Sequence, residues 1–294
     1  MNPNPPEDFA VFILSHGRAH TVVTMRTLAS HGYTGPVYII IDNEDAQADE
    51  YRALYGAQVI MFDKQAIART LDEGDNFNDR RSILYARHAC WAIAQNVGVQ
   101  RFLQLDDDYH WWAYKFAPDL SYKDQGIKNL NALFNIVLRF HETIPAVTVA
   151  FAQGGDFIGG ATSTASSVLH LKRKAMNTFF CRVDRPFQFR GRFNEDVNTY
   201  VSLGNRGTLF FTVTQAAITQ HQTQTNPGGI TDLYLKYGSY VKAFMTVMHC
   251  PSSVKVYTLG HTNPRIHHRI TWIQTVPRIL PESVRRRSQS PSAQ

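Results

Sequence analysis

The 294-residue sequence has three cysteines, Cys90, Cys181 and Cys250, at unrelated spacings. An odd, scattered set builds neither a disulfide framework nor a cysteine-based zinc motif, and it fits a reducing compartment. No run of about 18 apolar residues occurs, which argues against a membrane span. The opening MNPNPPEDF has neither the basic start nor the apolar centre of a secretion signal. These features predict a cytoplasmic protein. No internal repeat and no Pro/Gly linker divides the chain. At 44% hydrophobic and 18% charged residues it has the composition of a globular protein with a substantial core.

Charge of one sign is locally scarce. Asp42 to Asp79 carries ten acidic residues against three basic ones, whereas Leu169 to Asn194 carries seven Lys/Arg and one Asp. Two solvated faces would explain this, and so would a basic surface for a polyanion such as nucleic acid.

Hydrophobic patterning in the first hundred residues alternates between strands and helices. FAVFILSH (9–16), GPVYIIID (35–42), AQVIMFD (57–63) and RFLQL (101–105) read as buried strands. Residues 18–30, 45–55 and 80–97 between them read as helices, the last stopped by Gly98. This order predicts an α/β fold with a mainly parallel central sheet flanked by helices. Beyond it, residues 126–142 read as a helix and AVTVAFAQ (146–153) as a strand. The middle of 192–207 is helical in pattern, 208–221 is strand-like, and QGGDFIGGATSTASS reads as a loop. The division predicted is one domain over 1–284, with a nucleotide-binding half at about 9–110 and an acceptor half at about 111–284. The basic, Ser-rich tail 285–294 is expected to be disordered.

Ligands of open parallel sheets bind beyond the carboxyl ends of the strands. Three such ends carry polar groups: Ser15-His16-Gly17-Arg18, Asp42-Asn43, and Asp106-Asp107-Asp108. Crowded carboxylates repel one another unless a cation is present, and Mg²⁺ or Mn²⁺ favours carboxylate, water and phosphate oxygens. Alternation along a strand separates Asp107 from Asp106 and Asp108, the metal and ribose candidates. A solvated Asp-rich turn is the plain alternative. Arg87 is a candidate for holding a diphosphate or organising the aspartates. Glu195-Asp196 is a second acidic pair, either a general base or a complement to a helix dipole. Gly154, Gly155 and Asp156 lie in a loop open to close ligand approach. Lys172, Arg173, Lys174, Arg190 and Arg192, interleaved with Phe179, Phe180, Phe187 and Phe189, suit phosphate contact and base stacking, although the Phe residues equally suit a core. His267-His268 could ligate a metal or be structural. The Tyr-His-Trp-Trp after Asp108 fits a donor-pocket wall and core packing equally.

FAVFILSHGRA, GYTGPVYIIIDNEDAQADEY and LQLDDDY resemble a GT-A glycosyltransferase with a DxD motif. AFAQGGDFIGG, KRKAMNTFFC, GRFNEDVNTYVSLGNRG, TQTNPGGITDLYLKYGSYVKAFMTVM, PSSVK and RIHHRITW make the chain similar to the TET-associated glycosyltransferases of bacteriophages, from about Phe9 to Leu280. The resemblance implies a GT-A fold and transfer of a sugar, from a nucleotide-sugar donor such as a UDP-sugar, to 5-hydroxymethylcytosine in phage DNA. The hydroxymethyl group would come from a TET-type dioxygenase, and the sugar would protect the DNA from host nucleases. It further implies that Asp106 and Asp108 are the DxD positions, that Glu195-Asp196 supplies the base, and that His267 or His268 completes a Mn²⁺ or Mg²⁺ shell. Rival readings of the same aspartates are a sugar-phosphate nucleotidyltransferase and a metal-dependent nuclease; a non-catalytic DNA-binding protein explains only the basic patch.

Overall fold

A computed structural model describes residues 4–157, 169–170, 178–220, 230–238, 240–260, 264–280 and 282. The four strands read from the apolar runs are present: β1 (Phe9–Leu14), β2 (Val37–Asp42), β3 (Val59–Phe62) and β4 (Arg101–Asp106). They pair side by side in parallel, in the order β3-β2-β1-β4. Helices α1 (Val23–Ser30), α2 (Ala48–Tyr55), α3 (Lys64–Ala68) and α4 (Leu84–Asn96) fill the connections. Each helix begins or ends where the chain supplies the chemistry for it. Asp63 caps α3 by accepting from the Ala66 N–H, and Gly98, at φ +76°, turns the chain out of α4.

The sheet continues with β5 (Tyr109–Phe116), β6 (Tyr122–Gly126), β7 (Thr148–Gln153), β8 (Leu169–His170), β9 (Phe179–Arg182) and β10 (Phe210–Gln220). Its main path runs β3-β2-β1-β4-β9-β7-β10-β5-β6, with β8 also paired to β10. Seven of the ten strands point the same way; β5, β8 and β9 run against them. Strands from both predicted halves therefore share one sheet, and the α/β class read from the sequence stands. The Tyr-His-Trp-Trp segment opens β5, where Trp112 is completely buried. Tyr109 is buried as well, whereas Trp111 is exposed on the other face of the strand.

Alternation along β1 sorts its side chains between two cores. Phe9, Val11 and Ile13 join Leu103, Leu105, Phe134 and Leu138 on one face, with α5 (Leu130–Thr143) laid over them. Ala10, Phe12 and Leu14 join Phe102, Cys90, Ile93, Val197 and Val201 on the other. This second face holds α4 and α6 (Glu195–Gly204), the two helices that reach the site. Beyond α6, α7 (Thr231–Tyr237) and α8 (Tyr240–His249) lead into a separate antiparallel ribbon, β11 (Val254–Leu259) with β12 (Arg265–Ile270). Among the described residues no helix is long and apolar enough to cross a membrane. The tail 285–294 lies outside the described residues.

Candidate active site

Adjacent parallel strands end together, so the polar turns after β1, β2 and β4 meet at one edge of the sheet. Gly17 turns the chain at φ +67°, and its N–H donates to Asp45 at 2.8 Å. The Ser15 hydroxyl donates to Asp107 at 2.6 Å and meets the Tyr51 hydroxyl at 2.6 Å. Arg18 donates to the other Asp107 oxygen at 2.8 Å. Asp107 is thus buried and fully engaged in joining the first turn to the fourth strand. Asp42 is engaged in a comparable way, with His16 at 2.8 Å, Lys64 at 3.3 Å and the Glu44 N–H at 3.0 Å. Burial pushes the Asp42 carboxyl up, but His16 and Lys64 outweigh it and hold it below the usual range. Asn43 accepts from the Lys64 N–H.

Asp106 and Asp108 flank Asp107 and are less buried than it is; Asp106 is the last residue of β4, and Asp107 and Asp108 form the turn into β5. Behind Asp106 lies Arg87 of α4, completely buried. Its guanidinium lies against the edge-to-face pair Phe179 and Phe189, 5.0 and 5.4 Å from their ring centroids. Nη2 donates to Asp106 at 3.1 Å and Nε to Glu195 at 2.9 Å. One arginine therefore joins the end of β4 to the start of α6, 108 residues apart in sequence for the Glu195 contact. Its third nitrogen, Nη1, is buried with no hydrogen-bond partner among the described residues. Burial lifts the Asp106 carboxyl to about 8, with Arg87 pulling it back and Asp108, Glu195 and Asp107 repelling its charge. Burial also raises Glu195, against the pull of Arg87 and with the push of Asp196.

Glu195 and Asp196 occupy the first turn of α6, and both are buried. Glu195 is bound by Arg87, whereas Asp196 accepts, among the described residues, from the Val197 N–H at 2.7 Å. The residue before them, Asn194, has a left-handed backbone (φ 54°, ψ 39°), which is costly for most side chains and which asparagine tolerates better than other non-glycine residues. It is held there by α8, since its side-chain amide donates to the Lys242 carbonyl and the Thr246 hydroxyl, both at 3.0 Å. Two tyrosines enclose the acidic groups: burial and the charges of Asp106, Asp108 and Asp196 raise Tyr109, and burial with Glu195 and Asp196 raises Tyr234.

Several candidates lie elsewhere. Arg192, expected on a DNA face, is completely buried: Nε binds Asp75 at 2.8 Å, Nη2 binds Glu73 at 2.9 Å and Nη1 donates to the Tyr85 hydroxyl at 3.2 Å. It has no nitrogen left for a phosphate, because it pins the acidic segment 73–75 to α4. Arg190 is half-buried, with its Nε enclosed and unpaired among the described residues. Phe179, Phe180, Phe187 and Phe189 are core and offer no stacking surface. Lys172, Arg173 and Lys174 lie outside the described residues. Gly154, Gly155 and Asp156 form a short 3₁₀ turn after β7, where Asp156 accepts from the Gln153 N–H at 2.9 Å. His267 and His268 lie on β12, with His267 Nδ1 donating to the His268 carbonyl at 2.8 Å. Among the described residues, no three His, Cys, Asp or Glu side chains converge to hold a cation. Asp106 and Asp108 do fit a hard divalent ion that takes one or two carboxylates and draws its remaining ligands from water and phosphate.

The TET-associated glycosyltransferase family profile matches residues 9–229. The chain belongs to the TET-associated glycosyltransferase family. As a member it is a glycosyltransferase by family, and the matched span contains Asp106, Arg87 and the Glu195-Asp196 pair. No protein of curated function matches its sequence. Among solved structures, S. aureus TarS 1–349 in complex with UDP-GlcNAc is similar at 10% identity and TM-score 0.41, over 82% of this chain and 66% of that one. GalNAc-T7 with UDP, GalNAc and Mn²⁺ is similar at 15% identity and TM-score 0.39, over 72% and 43%. Glucosyl-3-phosphoglycerate synthase from Mycobacterium tuberculosis, in complex with Mn²⁺, UDP and phosphoglyceric acid, is similar at 11% identity and TM-score 0.43, over 89% and 86%. This family member thus spans less than two thirds of the first two structures it resembles.

Lys64, Asp45, Tyr51 and Tyr234 support the site and were not singled out from the sequence, whereas Tyr109 opens the Tyr-His-Trp-Trp segment read as pocket wall or core. Lys64 looks like a surface lysine in FDKQ, and nothing local distinguishes it. Tyr109 had a signal, its place directly after the aspartates.

Proposed function

We propose that this family member transfers a sugar from a nucleotide-sugar donor to the hydroxymethyl group of 5-hydroxymethylcytosine in DNA, with a divalent cation. The supporting observation is the Arg87 bridge, which draws the carboxylate at the end of β4 and the acidic pair opening α6 into one buried cluster. Donor and acceptor chemistry need those two elements side by side.

Asp106 and Asp108 would hold Mn²⁺ or Mg²⁺ through carboxylate oxygens. When bound, the cation neutralises charge on the departing diphosphate. Arg18 adds a cation at the same edge, while Asp107 keeps Arg18 and the first turn in place. Asp196 is the base: Glu195 is hydrogen-bonded to Arg87, leaving Asp196 as the carboxylate of the pair with no cation bonded to it among the described residues. It takes the proton from the hydroxymethyl oxygen as that oxygen bonds to the anomeric carbon and the bond to diphosphate breaks. Tyr109 and Tyr234 exclude water from the pair. A base inside a duplex is out of reach of a buried carboxylate, so the modified cytosine flips out of the stack. The DNA, like the dioxygenase that makes its hydroxymethyl group, belongs to the infected host's cytoplasm.

The test incubates the protein and Mn²⁺ with hydroxymethylcytosine DNA and a panel of nucleotide sugars, UDP-sugars first, and weighs the digested nucleosides by mass spectrometry. A hexose or N-acetylhexosamine increment on hydroxymethyldeoxycytidine is expected. No increment with any donor would sink the assignment.

A further inference from the structure

The expected DNA surface has lost Arg192 to the interior, yet the chain holds a second one-signed region. From Leu233 to Pro281 there are six Lys/Arg and no Asp or Glu. The middle of this region folds into the β11–β12 ribbon, beyond the residues that the family profile matches. Its register pairs Lys255 with Arg269 and Tyr257 with His267. Alternation places these four residues on one face. The Arg269 guanidinium lies 5.8 Å from the Tyr257 ring centroid, as diagonal neighbours on one face should. Lys255, Tyr257 and Arg269 are exposed.

The opposite face explains how the ribbon is anchored. Val254 is buried and joins the core beneath α6, with Ile270 and Trp272 packed beside it. Further out, Val256 and Ile266 are 46% and 47% exposed, so the ribbon projects from the body. It packs on α8, and α8 grips Asn194 at the start of α6. A continuous set of contacts therefore runs from the basic face to the Glu195-Asp196 pair.

We infer that the Lys255–Tyr257–Arg269 face of the ribbon is the platform that receives the DNA backbone. This rests on the DNA reading of the preceding section and deepens it. Two cations flanking an aromatic ring suit phosphate contact and stacking, and nothing acidic nearby in sequence opposes a polyanion. A two-stranded ribbon also has the dimensions that B-DNA's major groove admits. His267 lies on the same face, opposite Tyr257.

Lys255→Gln/Arg269→Gln removes both cations at exposed positions, so the fold is retained, which a thermal melt checks. Affinity for a labelled hydroxymethylcytosine duplex is measured by fluorescence anisotropy across a salt series. Loss of two phosphate contacts should reduce the steepness of log K against log salt by about 1.8 and weaken binding by about 10- to 10²-fold near 0.1 M salt. Tyr257→Ala should weaken binding without changing the slope. If wild-type protein modifies the duplex and the double variant binds it with unchanged affinity and slope, the ribbon is overturned while the DNA reading stands. If wild-type protein neither binds nor modifies the duplex, the DNA reading falls and the ribbon with it.

Discussion

Arg192 and Arg87 are both withdrawn from solvent, and each binds carboxylates brought from distant parts of the chain. Around Arg192 all three guanidinium nitrogens are bonded, to Asp75, Glu73 and Tyr85. Around Arg87 two are bonded and Nη1 is not, while its carboxylates have their pKa values raised by burial and mutual repulsion. A closed set of partners holds two segments together and leaves nothing for a ligand. An incomplete set, with crowded carboxylates in front of it, is the arrangement expected where a ligand's charge completes the balance. The same residue type, once on α4 as Arg87 and once bonded to α4 through the Tyr85 hydroxyl as Arg192, serves as a site organiser in one cluster and as a rivet in the other.

Substitutions should separate the two roles. The largest effect is expected at Asp196, where Asp196→Asn should lower kcat by about 10²- to 10⁴-fold. Its thermal melt should barely move. Full retained kcat would remove Asp196 as the base and return the role to Glu195. Next, Arg192→Met strands Glu73 and Asp75 and should cost about 3–5 kcal/mol in a denaturant titration. The rate per folded molecule should change far less than in Arg87→Met. If the two variants lose rate equally, the distinction between rivet and organiser collapses.

His141 gives the smallest effect and sharpens the contrast, because it is buried against a carbonyl and has no carboxylate bonded to it. Burial pushes its pKa from 6.5 down to about 4, and Arg185 adds to the fall. The folded form therefore keeps His141 neutral at pH values where the unfolded chain takes a proton. Stability is full above about 6.5 and declines as pH falls toward 4, by on the order of 3 kcal/mol. His88 and His249 are shifted the same way and add to the slope. A His141→Gln variant should show a flatter stability profile between those pH values; an unchanged slope would place the effect elsewhere.

What the sequence made legible follows from physics that is local. The runs at 9–16 and 101–105, and the second half of 35–42, are buried on both faces, so their apolar character alone marks them; the run at 57–63 is just as apolar, yet it forms the half-covered edge strand β3 with Met61 exposed. The pairing of β4 with β9 was not legible, since no local pattern says which strand will lie beside it. The second ribbon was missed because its exposed face alternates with residues only partly covered, which weakens the period. Charge was the least reliable guide to side-chain direction. Asp45, Glu73 and Asp75 belong to the acidic tract, yet they turn toward Gly17 and Arg192. Arg192 belongs to the basic stretch and points inward. Sequence counts charges but does not tell which of them meet.

The position of β9 has a kinetic consequence. β4 has β1 on one side and β9 on the other, and β7 pairs with β9 and β10. Both of those late partners follow residue 178, so during synthesis β4 and β7 keep open edges until that part of the chain emerges. β9 then joins β4 to β7, and β10 afterwards joins β7 to β5, each by pairings between residues far apart in sequence. Such closures are slow, and the waiting edges are templates for another chain. A fragment ending before Phe179 should therefore self-associate, whereas the full chain conceals both edges by inserting one four-residue strand.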